Sequence, residues 1–143
     1  MTPDNDRILC EKYPEIFRDR FESPSNSAMC YGFECDDGWF TLIDRLCACL
    51  QNEFKSCSYG KSEEEKQELQ PVAAQVKSKF GGLRFYIEGG NETMYGMIRM
   101  AESLSFTICE TCGKSGSKKG NGWIFTLCDN CWEERNKRNF SCK

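Results

Sequence analysis

CETCGKSGSKKGNGWIFTLCDNC, residues 109–131, decides how the chain is read. Two cysteine pairs, Cys109 with Cys112 and Cys128 with Cys131, each enclose two residues and stand fifteen residues apart. A two-residue gap lets one tight turn aim both sulfurs at a common point, and four soft thiolates form the tetrahedral set that Zn²⁺ accepts. The spacing therefore predicts one structural zinc ion held by Cys109, Cys112, Cys128 and Cys131. Gly113 frees the backbone just after the second ligand, where an unusual dihedral is often needed. Asn121-Gly122 is a strong two-residue hairpin signal, and Trp123–Leu127 reads as a strand leading into the second pair. The residues after Cys128, DNCWEERNKR, are compatible with a helix. Knuckle, hairpin and helix in that order describe a treble-clef finger, with a plain zinc ribbon as the alternative. The segment has little apolar bulk, so metal binding must supply much of its folding free energy.

The surrounding composition agrees with metal ligation. Eleven cysteines are many for 143 residues, but the count is odd and four fall into the two brackets. The first 30 residues hold no signal-peptide pattern, and no apolar run approaches a membrane span. These features lead us to expect a cytoplasmic chain with reduced thiols rather than a disulfide framework. Histidine is absent, which removes the commonest general base and leaves thiolates as the only soft ligands.

Upstream of the finger the chain reads as an α+β body, with residues 1–105 forming the body and 106–143 the finger packed on it. DNDRILCEKY, residues 4–13, suits a short helix with Asp4 as its cap, ended by Pro14, and PEIFRDRF follows as a packed extension. Asp36 or Asp37 can cap a helix from Gly38 to Phe54, where Trp39, Leu42, Ile43, Leu46, Leu50 and Phe54 recur on one face. LRFYIE alternates and is rich in strand formers, with Gly81-Gly82 before it and Gly89-Gly90 after it as turn signals. VAAQVKSKF fits either a helix or a strand. Asn91 caps a helix with Met94, Met97, Ile98, Ala101 and Leu104 on its apolar face.

The other cysteines are read as small buried hydrophobes, with Cys10 and Cys142 incidental. The alternative is a second metal site drawn from Cys30, Cys35 and two of Cys47, Cys49 and Cys57. Two Gly-Lys-Ser triplets, at 60–62 and 113–115, are not phosphate loops, because Lys55 and Ile108 stand where the first glycine must be. Two closed Cys-x-x-Cys pairs leave no open position for an activated water, and a cysteine nucleophile has no histidine partner. The chain is therefore not expected to be an enzyme.

Four pieces carry a resemblance: EKYPEIF (11–17), YGFECDDGWFTLIDRLC (31–47), QVKSKFGGLRFYIEGG (75–90) and the terminal CETCGK…GW…TLCDNC. In this order they resemble a widespread family of small zinc-finger proteins of phages, prophages and bacteria, across about residues 10–135. That family carries no activity to transfer. The resemblance implies a phage accessory protein in the host cytoplasm, aimed at a host protein such as an immune or defence effector.

Three partner classes follow. A host protein is the first, supported by a formal net charge of −3 and by Trp39, Phe40, Phe85, Tyr86 and Trp123. Nucleic acid is the second, through Lys114, Lys118, Lys119, Arg135, Lys137 and Arg138 around the finger. A small nucleotide is the third, through Lys79, Arg84 and Tyr86, since Arg84 and Tyr86 fall on one strand face with Phe85 on the other.

Overall fold

The computed structural model describes residues 1–140; Cys142 lies outside the described residues. Among the described residues the architecture is α+β, with five α-helices and two small sheets. Helix α1, Pro3–Lys12, begins on the proline that its first turn tolerates, with Thr2 rather than Asp4 at the cap position. Asp4 and Asp6 instead lie in the first turn, where negative charge suits the helix dipole. Beyond Tyr13 the chain turns through Ile16 and Phe17, both buried, and passes two 3₁₀ turns, Arg18–Phe21 and Ala28–Tyr31.

Strand β1, Phe33–Glu34, pairs parallel with β2, Val72–Lys79, which pairs antiparallel with β3, Gly82–Glu88. The segment that suited either a helix or a strand is thus a strand. Val76 and Ser78 face inward opposite Phe85 and Leu83, while Gln75, Lys77 and Lys79 face outward opposite Tyr86, Arg84 and Gly82. A two-residue turn, Phe80-Gly81, joins the strands with positive φ at both positions, +54° and +77°.

Helix α2, Phe40–Cys57, follows a 3₁₀ turn at Asp37–Trp39. Neither Asp36 nor Asp37 caps it by side chain; the Asp37 carboxylate accepts instead from the Thr2 backbone N–H at 2.8 Å. Trp39, Ile43, Leu46 and Leu50 are buried, as their spacing requires, and Cys47 joins them. The acidic run after α2 forms α3, Glu63–Leu69, opened by a reciprocal capping box between Ser62 and Glu65. Helix α4, Glu92–Ser105, starts as read, with Asn91 Oδ1 accepting from the Met94 N–H at 2.9 Å. It packs on β3 and α2. The main apolar cluster runs from Leu9 to Ala101, and each large aliphatic side chain fully buried there contributes about 1.5–3 kcal/mol relative to exposure.

The C-terminal unit comprises β4, Ser117–Lys119, β5, Phe125–Leu127, and α5, Asp129–Phe140. The β4–β5 connection is a five-residue loop, 120–124, not a two-residue turn at Asn121-Gly122. Gly120 takes the positive φ, +92°, so the chain turns one residue earlier than read. The strand starts at Phe125, and Trp123 lies in the loop, 80% exposed. Among the described residues no helix is long and apolar enough to cross a membrane.

Candidate metal centre and the groove beside it

The Cys109–Cys112 turn is a knuckle built by backbone hydrogen bonds. The Cys109 N–H donates to the Lys114 carbonyl at 2.7 Å, the Gly113 N–H to the Cys109 carbonyl at 2.9 Å, and the Gly116 N–H to the Thr107 carbonyl at 2.9 Å. Gly113 holds φ +76°, the left-handed conformation that its position called for. The second pair sits where β5 runs into α5. Cys128 is the residue before the helix, Cys131 lies in its first turn, and the Trp132 N–H donates to the Cys128 carbonyl at 3.0 Å.

These two turns bring the four sulfurs within 4.8 Å of one another. The Sγ atoms of Cys112 and Cys128 are 3.7 Å apart, close to the ~3.8 Å between sulfurs that a tetrahedral ion with bonds of about 2.3 Å requires. The set fits a metal ion by identity, number and spacing. As thiols the group titrates unevenly. The backbone N–H of Cys131 draws Cys128 down to about 7, while burial and the neighbouring sulfurs push Cys131 up. Among the described residues this is the one cluster of three or more cysteine or carboxylate ligands close enough to hold an ion. Among the described residues Cys30, Cys35, Cys47, Cys49 and Cys57 form no such cluster. Cys35 and Cys47 are buried in the apolar core, whereas Cys49 is exposed.

The knuckle is tied to the body. The Trp39 indole N–H donates to the Ile108 carbonyl at 2.9 Å, and the Gly38 N–H to the Glu110 carbonyl at 2.7 Å. A Cβ on Gly38 would lie inside hard-sphere contact with the carbonyl oxygens of Cys109 and Glu110. Thr126 Oγ1 donates to the Gly81 carbonyl at 2.6 Å, which links β5 to the β2–β3 turn. The Glu110 side chain is buried under the knuckle and accepts from Ser78 Oγ at 2.9 Å; burial lifts its carboxyl above the usual range. The sequence pointed to neither Gly38 nor Glu110. A glycine before a helix and a glutamate inside a Cys-x-x-Cys turn are both ordinary until the two segments meet.

Where the finger meets the sheet, a groove of about 600 Å³ opens between the end of β2 and the β4–β5 loop. Lys77, Lys79 and Phe80 line one wall, and Trp123, Phe125 and Arg135 the other. The basic residues of the finger are scattered. Lys119 pairs with Asp129 at 2.6 Å and Arg138 with Glu134 at 3.8 Å, while the Arg135 guanidinium sits 3.8 Å from the centroid of Phe125. Lys114, Lys118 and Lys137 are exposed. Of the aromatics that hinted at an interface, Trp39 and Phe85 are core and Phe40 is half-buried, whereas Tyr86 and Trp123 are exposed.

The fold and the cysteine cluster define an α+β protein with four cysteines near its C-terminal end placed to hold a metal ion. No family model, no curated protein and no solved structure matches the chain.

Proposed function

We propose that Cys109, Cys112, Cys128 and Cys131 hold one structural zinc ion and that the chain is a zinc-stabilised, non-catalytic binding protein. The observation that carries this reading is the convergence of four sulfurs within 4.8 Å from two separate turns. Four thiolates in tetrahedral array favour zinc among the common cations, and a filled coordination sphere is the mark of a structural rather than a catalytic site. Knuckle, hairpin and helix follow the treble-clef order. Three cysteines of the body are poor nucleophiles: burial pushes Cys10 and Cys35 up to about 12 and raises the fully buried Cys47 well above the ordinary thiol range. The resemblance to phage and prophage proteins makes a host protein, such as a defence effector, the first partner to test.

Metal analysis of the reduced, purified chain should return one zinc per molecule. Cys109→Ser should lose that zinc, together with slow amide exchange in β4 and β5. A metal-free chain whose β4–β5 amides remain protected would defeat the reading. A second reading, recognition of nucleic acid, is favoured by one specific feature, the outward face of the β2–β3 hairpin.

A further inference from the structure

Outward on the β2–β3 hairpin stand Lys77 and Arg84, directly opposite each other across the strands, with Lys79 next along β2 and Tyr86 next along β3. Like charges in direct cross-strand pairing destabilise a sheet. Among the described residues no carboxylate lies within salt-bridge distance of Lys77, Lys79, Arg84 or Arg135. Each of these cations stands instead over an aromatic ring: Lys77 at 5.7 Å from Tyr86, Lys79 at 5.4 Å from Phe80, Arg84 at 5.9 Å from Phe106 and Arg135 at 3.8 Å from Phe125. Three carboxylates share the groove, and each is hydrogen-bonded by a neutral donor rather than ion-paired with these cations. Glu34 accepts from Gln75, Asp36 from Thr111 and Glu110 from Ser78.

Two further costs fall at the same place. Phe80 holds a left-handed backbone, φ +54°, which glycine or asparagine adopts at less cost. Its ring is 71% exposed, so burial returns little of that cost. Trp123, 80% exposed, stands on the opposite wall of the groove. Cations without a carboxylate partner, alternating with exposed aromatic rings, match the chemistry of an unpaired polynucleotide: phosphates for the cations, bases for the rings.

We infer that the outer hairpin face and the adjoining groove bind single-stranded nucleic acid, with Lys77, Lys79, Arg84 and Arg135 on phosphates and Phe80, Tyr86 and Trp123 under bases. Stacking of this kind tolerates any base, so little sequence preference is expected. The inference rests on the zinc-stabilised reading only for the wall that carries Trp123 and Arg135.

The test is fluorescence anisotropy of labelled oligothymidylate and oligouridylate against the zinc-loaded protein, starting at ~50 mM salt, where phosphate contacts are strong. Saturable binding is expected, with a log–log salt slope of about −2 to −3 for three or four neutralised phosphates on a single strand. Trp123→Ala should weaken binding about tenfold, the loss of one stacked base. Lys77→Ala with Arg84→Ala should flatten the salt slope, while Lys77→Arg retains it. All of these variants should keep one zinc per chain and melt no lower than the parent, the double variant higher because it relieves the Lys77–Arg84 repulsion. That control separates failure of this inference from failure of the metal reading. The inference is overturned by no binding at ~50 mM salt, by affinity unchanged in Trp123→Ala and the double variant, by equal affinity for a duplex, or by equal affinity for an acidic peptide or a free mononucleotide.

Discussion

Gly38 is the residue on which the junction between body and finger turns. Its N–H holds the Glu110 carbonyl, and its missing side chain is the space through which the knuckle approaches. Gly38→Ala pushes a methyl into backbone that cannot yield, so stability should fall by about 1–3 kcal/mol, the range for overpacking. A urea titration with unchanged slope and lower midpoint would report it. Asp44 gives a second prediction at this scale. Burial alone would raise its carboxyl, yet the Lys12 ammonium at 2.6 Å and the Tyr13 hydroxyl at 2.9 Å outweigh that and hold it below the usual carboxylate range. A folded-state value below the unfolded one adds stability above the unfolded value, which is lost as pH falls through the folded one. Asp44→Asn should therefore lower the melting temperature at neutral pH and make little difference in acid, below the ordinary aspartate range.

At the scale of the element, the β2–β3 hairpin sets a local preference against the observed geometry. Asparagine suits the left-handed first position of such a turn better than phenylalanine does. Phe80→Asn should thus raise stability by about 1 kcal/mol, seen as a higher melting temperature, while weakening oligonucleotide binding. Stabilisation without loss of binding would remove Phe80 from the proposed site. Helices α2 and α4 were legible because Trp39, Ile43, Leu46 and Leu50, and then Met94, Ile98 and Ala101, repeat at helical spacing. Strand β2 was not, because Val72, Val76 and Phe80 also fall at helical spacing; only pairing with β3 decides the matter. The four-cysteine cluster was legible from spacing alone, as two sulfurs with two residues between them converge by local geometry. The groove was not, since Lys77 and Trp123 share a wall-to-wall space only after the finger docks.

Considered whole, the molecule keeps its apolar cluster to one side of the four cysteines. The cluster's buried members all lie between Leu9 and Ala101, and the finger adds only the half-buried Ile108 at its edge. Chelation should therefore release residues 109–138 while α2 and α4 stay folded. Hydrogen exchange with excess chelator should show fast amides in β4 and β5 beside slow ones in α2 and α4. Uniform loss of protection would mean that the body depends on the ion. Acid should have the same selective effect, because metal thiolates must stay deprotonated and protons compete for them. The Trp39 indole, fully buried and anchored to the Ile108 carbonyl, then becomes a built-in optical gauge. Its blue-shifted emission should move to the red once the knuckle lets go, a shift read in a Trp132→Phe background because Trp132 is half-buried in α5, whereas Trp123, already in water, keeps one colour throughout.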